Sequence, residues 1–301
     1  MSGADLVVPL DEAALRALPL PQPDGDGDKN ARGRVLVIGG AREVPGAIVL
    51  AGTAALRAGA GKLQLATIAA LAPHVGIAVP ESLVAGTAET ETGDIAASAA
   101  AGLAERANRT DAVLIGPGMM DADAAGRLLL ALLPALDVPP AGPAVVLDAV
   151  ALTALRDQPD ALHRFGGRAV LTPHAGETAA LLGVDRREIE ADPSGIACAV
   201  AARFRAVVAL KGATTHVATP EGRLYCHTSG CVGLATSGSG DTLAGIVAGL
   251  AARGAGPLEA ALWGVFLHGA AGRALNERHG LIGFLARELL DEIPGLMQKL
   301  S

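Results

Sequence analysis

The sequence predicts an α/β protein in which a central, mostly parallel sheet is covered by helices on both faces. Short apolar runs alternate along the chain with helical patterns, each run stops at Gly, Pro, Asp or Lys, and half of the 301 residues are hydrophobic. Continuous apolar runs are typical of strands buried on both faces, and their alternation with helices is typical of a parallel sheet. Because ligands bind such sheets at the carboxyl ends of the strands, the residues that follow each run are candidates for a site.

The chain up to residue 210 is predicted to consist of a leader segment and of strands that alternate with helices. Residues 1–32 are predicted to be a leader or linker segment, because only 10–18 has a helical pattern and 19–28 is rich in Pro, Gly and Asp. Residues 33–301 are expected to form a single domain without internal repeats. This domain is predicted to begin with a strand at 35–38, a helix at 46–58 and a strand at 63–67, followed by strands at 113–115, 145–147, 170–171 and 207–210.

The chain after residue 210 is predicted to form a β-hairpin followed by three helices. Val217 and Leu224 flank the turn residues 220–222, which indicates a β-hairpin. A helix is expected from Thr242 to Arg253, and Gly254 stands where a helix stop is typical. Two further helices are expected at 260–276 and 286–300, the second broken at Pro294.

Composition excludes several classes of function. The net charge is -7 and aromatic residues make up 2% of the chain, which argues against a nucleic-acid partner. The three cysteines lack Cys-x-x-Cys spacing, so neither a disulfide framework nor a zinc site is predicted. The N-terminus does not resemble a signal peptide and no apolar window is long enough to span a membrane. We therefore expect a soluble, cytoplasmic protein that acts on small molecules.

The stretch from Gly238 to Asp241 is the strongest candidate for a catalytic site. Gly238, Ser239 and Gly240 permit a loop whose backbone N–H groups converge on one anion, at the positive end of the helix that follows. Phosphate is the anion that such a cradle favours. Asp241 has two interpretations, since an acid in this position either caps the helix or accepts a proton during a reaction.

Two common nucleotide motifs are excluded. The stretch 59–62, Gly-Ala-Gly-Lys, resembles the end of a P-loop, but the first glycine position falls on Leu56 and the lysine is followed by Leu63. The stretch 116–118, Gly-Pro-Gly, would need its third glycine at Asp121 to be a dinucleotide fingerprint.

The chain resembles the ADP- or ATP-dependent NAD(P)H-hydrate dehydratases of the ribokinase-like superfamily, from about residue 33 to 294. The resemblance rests on motifs that stand in the family's order: Val37-Ile38-Gly39-Gly40 with Gly46-Ala47, 55–61, Pro80-Glu81, Gly116-Pro117-Gly118, 172–177, 210–215, 238–241 and 268–272. It implies a three-layer α/β/α fold. It also implies that the ring hydroxyl of the S hydrate is phosphorylated and that phosphate is then eliminated, restoring NADH or NADPH.

By this resemblance, Asp241 is the base that removes the hydroxyl proton, and the amides of Gly238, Ser239 and Gly240 stabilise the transferring phosphoryl group. The nucleotide, ADP or ATP, is expected to contact the stretch that begins at the end of the predicted strand 207–210, namely Lys211, Gly212, Ala213, Thr214 and Thr215. From the residues alone, Lys211 could equally be a solvated lysine at a strand end.

The resemblance places the hydrate at four positions, Ala47, Gly118, His174 and Asp241. Alternatives remain open, because Ala47 and Gly118 could serve tight helix–strand packing and His174 could cap or pack. Glu177 occupies the place of a glutamate that orients magnesium-bound water in related kinases, so a water-mediated contact with Mg²⁺ is expected.

The sequence departs from the family pattern twice. Asp148-Ala149-Val150 lacks the second acid of the family's Asp-Ala-Asp, and Asp148 itself could be a turn or helix cap. Cys231 replaces an asparagine and cannot supply an amide. Two other functions remain open: a kinase of the same superfamily that phosphorylates a vitamin-precursor alcohol, and a nucleotide-binding regulator without catalysis. The family also suggests a homotetramer and a separate epimerase that supplies the S form.

Overall fold

The computed structural model describes residues 7–22, 29, 31–138 and 140–300. Within them, ten strands form one sheet in the order β1-β10-β9-β8-β7-β6-β5-β2-β3-β4. The strands are β1 (Val8–Pro9), β2 (Arg34–Ile38), β3 (Lys62–Ile68), β4 (Ser82–Thr87), β5 (Ala112–Ile115), β6 (Ala144–Leu147), β7 (Ala169–Leu171), β8 (Val207–Leu210), β9 (Thr214–Ala218) and β10 (Leu224–Thr228). Every neighbouring pair is parallel except β9 with β8 and with β10. The predicted sheet and hairpin are confirmed.

Helices cover both faces of the sheet. They are α1 (Glu12–Arg16), α2 (Gly46–Arg57), α3 (Ala72–Ala78), α4 (Ala100–Ala107), α5 (Ala122–Leu132), α6 (Val150–Thr153), α7 (Ala175–Leu182), α8 (Arg186–Ala191), α9 (Pro193–Phe204), α10 (Ser239–Ala252), α11 (Pro257–His279) and α12 (Ala286–Leu300). One apolar core lies between the sheet and α2, α10 and α11, and the other lies between the sheet and α4, α5 and α9. This confirms the three-layer α/β/α architecture.

The sheet changes direction between β2 and β5. From β2 the chain adds strands toward β4, whereas from β5 it adds them toward β10. The loops that leave these two strands are joined, because the Gly40 amide donates to the Pro117 carbonyl (2.7 Å) and the Ala41 amide donates to the Gly118 carbonyl (2.8 Å). Such a switch point opens a crevice at the carboxyl ends of the strands, where ligands bind.

The segment before β2 packs on the domain. Leu10, Leu15 and Leu20 are buried in the core beside α10 and α11, and the Trp263 indole donates to the Leu18 carbonyl (2.7 Å). The helix here is Glu12–Arg16, shorter than the expected 10–18, and a two-residue strand precedes it. The division at residues 32 and 33 stays a prediction, and the Pro- and Gly-rich residues 23–28 lie outside the described residues.

Three expectations about secondary structure were wrong or incomplete. The final helix is not broken, since α12 continues through Pro294 while Leu289, Leu290 and Ile293 are buried. Burial of this apolar face compensates for the single backbone hydrogen bond that proline removes. Strand β4 was not predicted because it is a half-exposed edge strand, and α10 begins at Ser239 rather than at Thr242. Among the described residues, no helix combines the length and the apolarity needed to cross a membrane.

Candidate active site

Three neighbouring strands bring polar residues to one edge of the sheet. Asp148 follows β6, Thr172 follows β7 and Lys211 follows β8. The Lys211 ammonium lies 2.8 Å from Asp148 Oδ1, and the Thr172 hydroxyl donates to the same oxygen at 2.7 Å. Asp148 and Thr172 are buried, and the Lys211 side chain is 17% exposed. A buried carboxylate is thus paired and hydrogen-bonded, which offsets the free-energy cost of its burial.

The start of α10 meets this cluster. Gly238 is the N-cap, with φ of 86°, and a Cβ there would lie 2.4 Å from Leu50 of α2. Asp241 is the third residue of the helix, so the interpretation of Asp241 as the N-cap is wrong. A Cβ on Gly240 would lie 3.3 Å from Lys211 Nζ, which places the lysine charge beside the loop.

The backbone amides of the loop are not equivalent. The Ser239 amide donates to the Thr236 carbonyl (3.2 Å), closing a turn. Nothing in the described part of the chain accepts a hydrogen bond from the amides of Gly238 and Gly240. The amides of the two glycines are therefore donors available for an anion at this helix terminus, whereas the Ser239 amide closes the turn and its expected contact with the nucleotide stays a prediction.

The charges at this edge of the sheet are strongly coupled. Burial raises the pKa of Asp241 to about 7, the negative charge of Asp148 adds to this effect, and Lys211 opposes it. Burial disfavours the Lys211 ammonium, but the carboxylates of Asp148, Glu177 and Asp241 outweigh that cost and raise the pKa of Lys211. Near neutral pH, Lys211 is charged and Asp241 can both accept and release a proton, which a general base requires.

His174 and Glu177 form the N-terminus of α7. Glu177 N donates to His174 Nδ1 (3.0 Å), and His174 N donates to Glu177 Oε2 (2.7 Å), so the pair is a capping box. The capping interpretation of His174 is therefore present in the structure, while its contact with the hydrate stays a prediction. The same Glu177 oxygen lies 3.7 Å from Lys211 Nζ, so this helix terminus adjoins the Asp148–Lys211 pair.

The donor set fits a magnesium ion held mainly by phosphate and water. The carboxylates of Glu177 and Asp148 both lie within 4 Å of Lys211 Nζ, at 3.7 and 2.8 Å, and Mg²⁺ is commonly bound by one or two carboxylates together with waters and substrate phosphates. Within the residues described, no group of three or more His, Cys, Asp or Glu side chains is arranged as a direct metal site.

The residues expected at the nucleotide form the link between two strands. Lys211 pairs with His174 in an isolated bridge, Gly212 and Ala213 are exposed, and Thr214 opens β9. The Thr214 hydroxyl lies 2.9 Å from the Thr228 hydroxyl across the hairpin. The link therefore presents an exposed backbone directly beside the lysine, and its contact with a nucleotide stays a prediction.

Ala47 and Gly118 are brought together on the other side of the crevice. Gly118 has φ of 71°, and a Cβ there would lie 2.6 Å from the Val44 carbonyl oxygen and 2.9 Å from the Ala47 Cβ. Both residues are buried. Tight packing is thus present at these positions, and their contact with the hydrate stays a prediction.

Sequence reasoning missed the central role of Asp148 and Thr172. Asp148 was considered only as a cap and in connection with the acid missing at Val150, yet it holds Lys211. The available signal was its place directly after a buried strand, which it shares with Lys211. The following residue, Ala149, has φ of 54° and ψ of -140°, a conformation that is strained for a non-glycine residue. Cys231, the other departure, is buried in the core.

Two concave surfaces outside this site lie along α5 and α6. Their volumes are about 200 and 520 Å³, and both are lined by Leu130, Ala154 and Gln158. Neither is lined by Asp148, His174, Glu177, Lys211 or Asp241. The crevice at the strand ends joins unpaired loop amides to a charged lysine and an acid of raised pKa, so we assign the chemistry to it.

Comparison with known proteins identifies the family of this chain. A family model described as NAD(P)H-hydrate dehydratase matches residues 35–295. The ADP-dependent (S)-NAD(P)H-hydrate dehydratase of Xanthomonas campestris is 51% identical over 288 residues, which cover 96% of this chain and 95% of that protein.

Solved structures show the same fold. A ribokinase-like superfamily protein from Enterococcus faecalis superposes with a TM-score of 0.82 at 26% identity, covering 98% of this chain and 96% of that one. The ADP/ATP-dependent NAD(P)H-hydrate dehydratase of Bacillus subtilis, co-crystallised with ATP/Mg²⁺, superposes with a TM-score of 0.79 at 28% identity. The match covers 99% of this chain and 100% of that one. The sheet, the helix terminus and the match over most of the chain lead to one conclusion: the chain belongs to the NAD(P)H-hydrate dehydratase family.

Proposed function

We propose that this enzyme uses ADP or ATP to dehydrate (6S)-NAD(P)H hydrate and so restores NAD(P)H. The observation that carries the proposal is the position of Asp241, an acid of raised pKa in the first turn of α10, beside Lys211 and the unpaired amides of Gly238 and Gly240. A base for a hydroxyl group and donors for a phosphoryl group thus lie at one point. The names of the Xanthomonas and Bacillus relatives agree with this reaction.

The first step is phosphoryl transfer. The Gly238 and Gly240 amides and Lys211 bind the terminal phosphate of the nucleotide, and Asp241 takes the proton from the ring hydroxyl of the hydrate. The hydroxyl oxygen forms a bond to the terminal phosphorus as the bond from phosphorus to the bridging oxygen breaks. AMP leaves when ADP is the donor, and ADP leaves when ATP is the donor.

The second step is elimination. Hydroxide is a poor leaving group, whereas phosphate is a good one, so phosphorylation prepares the ring carbon for loss of its oxygen. The lone pair of the ring nitrogen moves toward the departing carbon–oxygen bond, phosphate leaves with the bonding electrons, and loss of a proton from the neighbouring carbon restores the dihydropyridine. The amides that held the phosphoryl group also stabilise the negative charge on the departing phosphate.

Magnesium would be held by phosphate oxygens and by water that contacts Glu177 and Asp148. When bound, it supplies positive charge that neutralises the transferring phosphoryl group. In this chain, the Asp148–Lys211 pair keeps the lysine close to the loop, at 2.8 Å from the carboxylate. Water-mediated contact explains why Glu177 can also serve the capping box of α7.

The hydrate is proposed to lie across the switch point, against Ala47, Gly118 and His174. Small residues at the first two positions allow a dinucleotide to approach the backbone closely. The other nucleotide lies along the link from Lys211 to Thr215. We further propose that a separate epimerase supplies the S hydrate, that the enzyme works in the cytoplasm, and that it is a homotetramer.

The test follows the absorbance band of the reduced nicotinamide after mixing enzyme, Mg²⁺, NADH hydrate and either ADP or ATP. Growth of the band together with AMP or ADP and phosphate is the expected result, and it identifies the phosphoryl donor. A stable phosphorylated alcohol formed from a pyrimidine or thiazole alcohol, without dehydration, would instead identify a vitamin-precursor kinase. Binding of ADP without turnover of either kind of substrate would identify a regulator.

A further inference from the structure

A partly buried histidine of α11 is hydrogen-bonded to the loop that precedes Asp241. His268 lies in the middle of this largely apolar helix, and its Nε2 atom lies 2.9 Å from the Ser239 hydroxyl oxygen. Ser239 is the first residue of α10 and is 4% exposed. The mechanism described above assigns no role to either side chain.

This bond completes the anchoring of Ser239. Its amide already donates to the Thr236 carbonyl, so with the bond to His268 both the backbone and the side chain of Ser239 are held. The hydroxyl contacts His268 of α11. The neighbouring glycine amides, at Gly238 and Gly240, are left for that anion.

The packing of α10 on α2 acts at the N-cap, where a Cβ on Gly238 would lie 2.4 Å from Leu50, and along the body of the helix. A Cβ on Gly245 would lie 2.2 Å from the Ala51 carbonyl oxygen, and one on Gly249 would lie 2.4 Å from the Ala55 carbonyl oxygen, so the helix is in close contact with α2. The contacts of Gly245 and Gly249 lie more than one turn after Ser239. The glycines on either side of Ser239 add conformational freedom, so the loop needs a local restraint.

We propose that His268 is a positioning residue, which holds Ser239 so that the amides of Gly238 and Gly240 stay aimed at the transferring phosphoryl group. This inference rests on the proposed function. Preorganised donors stabilise a transition state without reorganising during the reaction, and a loop that must reorganise loses part of that stabilisation. Burial lowers the pKa of His268 to about 4, so the ring is neutral near pH 7 and adds no charge that would change the phosphate site.

The test compares two substitutions at one position. His268→Met removes the hydrogen bond but keeps an apolar side chain of similar length, whereas His268→Gln can place an amide near the position of Nε2. We expect His268→Met to lower kcat/KM for the nucleotide by about tenfold, with little change in the KM of the hydrate, and His268→Gln to recover most of the loss. Ser239→Ala should give the same loss, and the double variant Ser239→Ala/His268→Met should lose no more than either single variant.

His227→Met is the matched control. His227 is a histidine in the same region of the core, and it packs against Phe266 of α11 with a ring distance of 5.2 Å, but its Nδ1 atom contacts the Leu10 carbonyl rather than the loop. This variant is expected to lower the thermal midpoint without changing the KM of the nucleotide. If His268→Met kept the wild-type kcat/KM, if His268→Gln were no better, or if the losses from Ser239→Ala and His268→Met multiplied, the positioning role would be wrong.

A second readout separates this inference from the proposed function. If the wild-type enzyme did not dehydrate the hydrate with either nucleotide, the proposed function would be wrong. The affinity for ADP of the wild type and of the two His268 variants, measured by calorimetry, then tests the positioning of the loop without requiring turnover. Weaker ADP binding by His268→Met that His268→Gln restores supports the positioning role, and equal binding by all three overturns it.

Discussion

Lys211 Nζ lies 2.8 Å from Asp148 Oδ1 in a largely buried pair, although the two residues are separated by 63 positions in the chain. Parallel strands position the two residues, since Asp148 directly follows β6 and Lys211 directly follows β8. Thr172, which directly follows the intervening β7, donates a hydrogen bond to the same oxygen of Asp148. Each charge is therefore fixed by the sheet itself. This arrangement places the lysine beside the phosphate loop and explains the electrostatic coupling with Asp241.

Removing one partner of this pair should cost stability as well as activity. Lys211→Met leaves Asp148 as an unpaired buried charge, which typically destabilises a protein by about 3–5 kcal/mol. The double variant Lys211→Met/Asp148→Asn should regain part of the free energy of unfolding, measured in urea, while nucleotide binding stays weak. A double variant no more stable than Lys211→Met would contradict the pairing.

Asp241→Asn should separate binding from chemistry. The amide keeps the shape of the side chain but cannot take the proton of the hydroxyl group, so turnover should fall by about 10²–10⁴-fold. The affinity for ADP, measured by calorimetry, should be retained or increase, because a negative charge beside the phosphates is removed. Retention of a near wild-type rate in the absorbance assay would mean that the base is another group.

The activity should depend on pH through Asp241. The base must be ionised, and burial raises its pKa to about 7, so kcat/KM for the hydrate should fall as the pH drops below about 7. Asp148→Asn removes a negative charge that raises this pKa and releases the Lys211 charge, so the acidic limb should move to lower pH. Asp157→Asn, an exposed acid in the groove along α5 and α6, is the control and should leave the profile unchanged.

The same pKa shift should appear in the stability of the fold. The pKa of Asp241 is raised above its ordinary value of 3.8, so the folded state binds the proton more tightly than the unfolded state does. Its contribution to the free energy of unfolding is present in acid and is lost as the pH rises through about 7. Asp241→Asn should remove this component, which would be visible as a flatter dependence of stability on pH between 4 and 7; an unchanged dependence would exclude Asp241 as its source.

The strained backbone after Asp148 should be relieved by glycine. Ala149 has φ of 54° and ψ of -140°. For residues other than glycine, this conformation carries a strain energy of about 1–3 kcal/mol. Ala149→Gly is expected to raise the free energy of unfolding by about 1 kcal/mol, which corresponds to a thermal midpoint about 2–4 °C higher. Ala151→Gly, two residues later at a helical position of α6, is the control and should destabilise by about 1 kcal/mol or more.

Much of the fold could be predicted from the order of residues. Apolar runs such as Val35–Ile38 stand out because a strand buried on both faces needs a continuous apolar sequence. The hairpin was predictable from its turn residues, and the candidate loop was predictable from its glycines. Strand β4 could not be recognised in this way, because Ser82–Thr87 is a half-exposed edge strand without a clear pattern.

The sequence by itself thus determined the α/β class, the positions of the central strands and the family, because burial and backbone geometry act on neighbouring residues and leave local patterns. Only the tertiary structure decided that Asp148 pairs with Lys211, that Gly238 rather than Asp241 caps α10, and that α12 continues through Pro294. These features depend on which elements meet in space. Ion pairing, desolvation and packing act between residues that are distant along the chain, so no local pattern records them.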